Sequence, residues 1–150
     1  MRTVETFVTS ASPHVVWSVL ADVEHWCDWT PTVTEVKALN STGLKVGAKY
    51  RVVQPSLRPA TYEVTECVPN RRFTWVQRTA GGVMIADHRI APGDGGTKVE
   101  LSFASKGLLA NIIGNLFSRM IRDYVATEAR SLKKHCDDLA PRGEPVVIAS

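Results

Sequence analysis

Residues 97–139 read TKVELSFASKGLLANIIGNLFSRMIRDYVATEARSLKKHCDDL, and a change of period inside them decides the fold. From Thr97 to Ser105 apolar and polar residues alternate. Val99, Leu101 and Phe103 share one face and Lys98, Glu100 and Ser102 the other, the pattern of an antiparallel strand with one wet side. From Lys106 onward the period becomes helical. Leu109, Ile113, Leu116, Phe117, Met120 and Tyr124 recur at three- and four-residue steps. Arg119, Arg122, Asp123, Arg130, Lys133 and Lys134 fall mostly on the opposite side. The spacing predicts one helix running to about Leu139 and stopping before Pro141. At ~1.5 Å per residue it is about 45–50 Å long, enough to cross a whole domain.

Upstream of that helix, Thr32–Ser105 reads as β structure. Strands are predicted at Val33–Leu39, Lys49–Gln54, Ala60–Val68, Arg72–Thr79 and Val83–Ile90. Gly43, Pro55, Pro59, VPNRR at 68–72, Gly81-Gly82 and PGDGG at 92–96 punctuate them. The connections are short, which favours an antiparallel meander. Residues 2–10 form a further strand, with Val4, Thr6 and Val8 on one face and Glu5, Phe7 and Thr9 on the other. Ser12 as N-cap and Pro13 at the first helical position open a helix to about Ala21 that buries Val16, Val19 and Leu20. Asp22 is placed to cap a second short helix, Val23–Asp28, which Pro31 ends. The expected architecture is α+β: a curved antiparallel seven-stranded sheet wrapped around a long C-terminal helix, with two short helices after the first strand. A lone sheet must bury one face, and the long helix is the only large cover. Strong curvature around a single helix leaves space between them, so an internal pocket is expected.

Residues 1–140 are expected to form one domain and 141–150 a tail that frays. In the 150 residues, 44% hydrophobic and 22% charged composition excludes bulk disorder. Lys and Arg total 18 against 15 Asp and Glu, a net charge of +3. The densest basic spots are the pairs Arg71-Arg72 and Lys133-Lys134, so no nucleic-acid partner is called for. Cys27, Cys67 and Cys136 are odd in number and far apart, which suits neither a disulfide framework nor a zinc knuckle. The opening MRTVETFVTS lacks the apolar core of a signal peptide. The longest apolar tract, GLLANIIGNLF at 107–117, is interrupted by Asn111 and Asn115 and falls short of the ~20 residues of a membrane helix. A cytoplasmic protein in a reducing compartment, monomeric or homodimeric and without an integral membrane segment, is expected.

Three segments carry a family likeness: ASPHVVWSVLADVEHWCDWTPTV at 11–33, YEVTECVPNRRFTW at 62–75, and HRIAPGDGGTKVELSF at 88–103 followed by the closing helix. Over residues 2–139 the chain resembles the START-like (SRPBCC) helix-grip superfamily, and more closely its polyketide cyclase/dehydrase branch. The resemblance implies binding of lipids, sterols, polyketides, plant hormones or other apolar molecules, or cyclase or dehydratase activity. These motifs are mostly structural and do not choose between binding and chemistry.

Alternation supplies the inward sets. Met84, Ala86, His88 and Ile90 pair with Val99, Leu101 and Phe103; Phe73, Trp75 and Gln77 share a face, as do Tyr62 with Val64 and Tyr50 with Val52 and Gln54. The ligand-binding candidates are Trp29, Tyr50, Tyr62, Trp75, Gln77, Met84, His88, Phe103, Phe117, Met120 and Tyr124. Plain core packing is the competing role for most of them. His88 is the candidate catalytic residue, as a general base or as a group that orients a ligand carbonyl. The competing reading is a core histidine bonded to backbone or water. Asp87, its neighbour on a strand, points to the opposite face. Tyr62 or Tyr124 offers a hydroxyl. Trp26 and Trp29 either close the mouth or fill core, and Arg58 and Pro59 in QPSLRPA are placed near an opening. A nucleophilic Cys67 is poorly supported: Arg71 and Arg72 are near enough in sequence to favour a lower pKa, but no base is implied. No metal and no cofactor are expected: His25 and Cys27 diverge, His135 and Cys136 are adjacent, and zinc needs three or four converging ligands. PGDGG joins two strands, so it is a hairpin turn rather than a phosphate cradle. Two functions stand open, a binder of a small hydrophobic molecule and a polyketide cyclase/dehydratase-type enzyme. A third, an interaction protein using the outer sheet or the long helix, is disfavoured by the polar outer face of the last strand.

Overall fold

Period-2 patterning places one strand after another, and short turns fold them into a single antiparallel sheet. The computed structural model describes residues 1–141. Its strands are β1 Arg2–Thr9, β2 Glu35–Ala38, β3 Lys49–Val53, β4 Ala60–Val68, β5 Arg72–Thr79, β6 Gly82–Gly93 and β7 Gly96–Lys106. They lie in the order β1-β7-β6-β5-β4-β3-β2. Every consecutive pair from β2 to β7 is a hairpin, whereas β1 and β2 sit at opposite edges. The chain between those two edges must therefore cross the sheet. It does so as α1, Pro13–Ala21, and a 3-10 helix, Val23–Asp28. Ser12 starts α1 by accepting the Val15 amide at 3.3 Å, with Pro13 at the first helical position. α1 buries Val16, Val19 and Leu20, as expected.

The expected helix-grip architecture is thus present, with two corrections. The first concerns the C-terminal segment, which is two helices: α2, Leu108–Leu116, and α3, Ser118–Leu139. The axis breaks at Phe117, whose φ of −101° and ψ of 18° leave the helical region. The cause is packing. α2 presses Ala110 and Gly114 against β6 and β7, so closely that a Cβ on Gly114 would stand 2.8 Å from the Ser105 hydroxyl. α3 runs instead over β1 and β7, burying Ala129, Leu132 and Cys136. Its far end is tied to β1, where the Thr9 hydroxyl and the Ser10 amide donate to Asp137 Oδ1 at 2.6 and 3.1 Å. The break turns part of the apolar stripe outward: Leu116 is 75% exposed and Leu109 43%. α3 has 22 residues, so the gripped helix is about 33 Å long rather than 45–50 Å.

The second correction is local. Asp22 makes no side-chain cap to the 3-10 helix. Its carboxylate meets His25 Nδ1 at 2.8 Å while its carbonyl accepts the His25 amide at 3.1 Å. The tail expected at 141–150 lies outside the described residues apart from Pro141.

One irregularity in the sheet matters for the interior. The β4–β5 register shifts between Val64 and Glu66. Tyr62 and Val64 face inward before the bulge, and beyond it the inward position falls on Cys67 rather than Glu66, so that Cys67 packs against the core. Burial therefore raises the Cys67 thiol pKa, against the lowering expected from Arg71 and Arg72.

The junction between β7 and α2 depends on Gly107, whose φ is +98° with ψ near the extended range. A Cβ there would lie 2.6 Å from the Gly81 carbonyl oxygen and 2.7 Å from Gly82 Cα. Gly107→Ala is expected to cost about 2–4 kcal/mol, read as a lower urea midpoint at unchanged slope. Gly95→Ala, where φ is +73° but nothing lies within 4 Å, is expected to cost only about 1 kcal/mol.

Candidate functional site

α3 packs over β1 and β7, and the gap between the helices and the rest of the sheet is a cavity of about 330 Å³. Strand alternation supplies its floor. Register pairs Met84 with Ser105, Ala86 with Phe103 and His88 with Leu101, so Met84, Ala86, His88, Leu101 and Phe103 point inward together. β5 adds Trp75 and Gln77, β4 adds Tyr62, and β3 with the loop after it adds Val52 and Gln54. The helices form the roof with Ile113, Phe117, Met120, Ile121, Tyr124, Val125 and Glu128. Leu57, Arg58 and Phe117 line the cavity while exposed, which marks its mouth. The Tyr124 hydroxyl donates to the Pro55 carbonyl and ties α3 to the loop at that mouth.

Of the eleven candidates, Tyr62, Trp75, Gln77, Met84, His88, Phe103, Phe117, Met120 and Tyr124 lie on the cavity wall. Trp29 and Tyr50 do not. Trp29 stacks on His135, with ring centroids 6.4 Å apart, and sits behind Trp26 at 5.5 Å. Tyr50 is 1% exposed and packed on Trp75, and its hydroxyl donates to the Gly43 carbonyl at 3.0 Å. In each case a neighbouring aromatic stands between the side chain and the cavity: Trp26 takes the wall position that Trp29 was expected to hold, and Trp75 screens Tyr50. Trp26 is fixed by an indole N–H bond of 3.1 Å to the Leu20 carbonyl.

His88 stands where solid core meets cavity. Its ring stacks on Phe73, its register partner, at 4.0 Å and 13°, with Trp26 edge-on at 5.4 Å. His88 Nδ1 donates to the Phe73 carbonyl at 3.1 Å, because a carbonyl only accepts. Nε2 faces Glu128 Oε1 at 4.0 Å. Asp87 points away, as expected, and meets Arg72, Thr74 and Arg89 at 2.9, 2.6 and 2.7 Å. Burial works against that carboxylate, but those three donors outweigh it and hold its pKa at about 2.

Glu128 escaped the sequence reading. It continues the stripe of Phe117, Ile121 and Tyr124 at helical spacing, and an acid inside an apolar stripe is the signal that finds it. Burial pushes its pKa up to about 7. Burial pushes His88 down to about 4, against the Phe73 hydrogen bond and the Asp87 charge. The imidazole is therefore neutral at pH 7, and its contact with Glu128 is not an ion pair. Burial also drives the Tyr62 phenol well above its ordinary pKa.

A curved antiparallel sheet that grips a C-terminal helix around an apolar cavity defines a helix-grip protein. Residues 1–137 match the family described as polyketide cyclase / dehydrase and lipid transport, and the chain belongs to that family. No curated protein matches the chain. Among solved structures, a hypothetical protein of Helicobacter pylori is similar with a TM-score of 0.76 at 11% identity, covering 91% of this chain and 88% of that one. A Thermus thermophilus protein, TTHA0849, is similar with a TM-score of 0.73 at 14% identity, covering 94% and 100%. The di-domain ARO/CYC protein StfQ of the steffimycin biosynthetic pathway is similar with a TM-score of 0.74 at 11% identity, covering 93% and 52%. These likenesses show a shared fold. Among the described residues, no helix is long and apolar enough to cross a membrane.

The two shifted groups pull stability in opposite directions. Glu128 holds its proton more tightly when folded, so its contribution is full below pH 4.5 and is lost as pH rises through about 7. His88 holds its proton less tightly when folded, so its contribution is full above pH 6.5 and is lost as pH falls through about 4. Glu128→Gln removes the first limb. Its urea midpoint is expected to rise between pH 4.5 and 6.5, where the wild type is flatter, and to exceed the wild-type value above pH 7.

Proposed function

We propose that this chain binds a small hydrophobic molecule, of the lipid, polyketide or aromatic class, in the cavity between the sheet and its helices. The observation that carries this reading is the cavity itself. Its volume of about 330 Å³ lies within the ~300–1,000 Å³ of small-molecule sites, and its wall is mostly apolar with a few convergent polar groups. The family description, which joins polyketide cyclases and dehydrases to lipid transport, supports the same class of ligand. So does the fold shared with StfQ, an ARO/CYC protein of a biosynthetic pathway. Cys27, Cys67 and Cys136 are free, which fits a reducing compartment such as the cytoplasm.

The alternative is a cyclase/dehydratase-type enzyme in the same cavity, with His88 as base and Glu128 beside it at 4.0 Å. A base works best with a pKa near the operating pH, and His88 is pushed down to about 4. That weakens the catalytic reading relative to binding.

Native mass spectrometry of freshly purified protein, followed by denaturing extraction, is expected to reveal a bound apolar molecule at up to one per chain. Ala86→Phe adds a phenyl ring to the cavity floor. It is expected to lower occupancy at least about tenfold while changing stability by no more than about 1.5 kcal/mol. Equal occupancy in the variant places the ligand elsewhere.

A further inference from the structure

The inner wall of the cavity holds one acceptor and one donor that do not satisfy each other. With its Nδ1 proton committed to the Phe73 carbonyl, His88 presents a lone pair at Nε2. That atom is 4.0 Å from Glu128 Oε1, beyond hydrogen-bond length. Among the described residues the Glu128 carboxyl makes no hydrogen bond, and its side chain is 16% exposed against 4% for His88. Both line the same cavity. A carboxyl desolvated in this way favours its protonated form, which offers one O–H donor. Together the two side chains ask for a group that donates to nitrogen and accepts from oxygen.

We propose that the ligand is a neutral apolar molecule bearing a hydroxyl, an alcohol or a phenol, whose O–H donates to His88 Nε2 and whose oxygen accepts from Glu128. This rests on the cavity reading above and names its ligand class. A hydroxyl satisfies both groups at once. A ketone or ether serves Glu128 and leaves Nε2 bare. A hydrocarbon leaves both bare, and an unmade buried hydrogen bond is more costly than a made one is favourable. A carboxylate sets its lone pairs against the Nε2 lone pair and brings a charge into a site whose desolvation already biases Glu128 toward its neutral form. Arg58, the cation of the cavity lining, stands at the mouth and does not offset this at the inner wall.

Equilibrium dialysis at pH 7 with 2-naphthol, 2-methylnaphthalene and 2-naphthoate tests the proposal, since the three share a ring system and differ at one substituent. 2-Naphthol is expected to bind about tenfold more tightly than either of the others. In Glu128→Leu that advantage over 2-methylnaphthalene is expected to shrink to about threefold or less, and in Glu128→Gln, which keeps a donor, to persist. His88→Phe, which preserves the stack on Phe73, is expected to behave like Glu128→Leu. Equal binding of 2-naphthol and 2-methylnaphthalene, tighter binding of 2-naphthoate, or an advantage untouched in both apolar variants overturns the hydroxyl assignment and leaves the cavity reading standing. Binding of none of the three overturns the cavity reading and this assignment with it.

Discussion

A seven-stranded sheet has more concave face than one helix covers. Its outer strands are separated by six intervals of about 4.8 Å, roughly 29 Å in all, whereas a helix with its side chains is about 10–12 Å wide. α3 therefore covers less than half of the face. The strand order adds a second cover, because β1 and β2 lie at opposite edges and the chain between them must cross the sheet. α1 and the 3-10 helix make that crossing and deliver Val16, Leu20, Val23 and Trp26 to the core. One part of the face is thus filled. The rest, under Phe117 to Glu128, stays open as the cavity.

The border between the filled and open parts is aromatic. Trp26, Phe73, Trp75 and His88 pack in tilted, edge-on and stacked pairs with centroids 4.0 to 6.1 Å apart. Such pairs stabilise beyond their area burial and hold ring orientations narrowly. Two backbone carbonyls complete the arrangement by accepting from the Trp26 indole and the His88 imidazole. The polar face that His88 turns to the cavity is set by rigid core, not by a mobile loop. That is the condition under which a single hydrogen-bonding group reads a ligand accurately.

The same burial that fixes His88 also makes it a weak base, and the two facts belong together. A ring enclosed by three aromatic side chains has lost most of the water that would solvate its cation. Glu128, on the facing helix, has lost water in the same way and tends toward its neutral acid. The outer face of the sheet shows the contrast. There Asp87 keeps its charge because Arg72, Thr74 and Arg89 donate to it.

Local periodicity determined the strands and their hairpins, because side chains alternate on a strand and recur every three to four residues on a helix wherever packing demands one buried face. It also determined that Met84, Ala86 and His88 face Phe103 and Leu101, since two long strands joined by the PGDGG turn have little freedom of register. Tertiary structure decided what no local period records. The axis breaks at Phe117 because α2 packs toward β6 and α3 toward β1 on either side of β7, which turned Leu116 outward. The bulge after Val64 changed which β4 residues point inward. Trp29 and Tyr50 fell behind Trp26 and Trp75 because depth beneath a wall depends on neighbours from other elements. Glu128 met His88 only because residues forty apart were folded against one another, and burial then set the protonation of both.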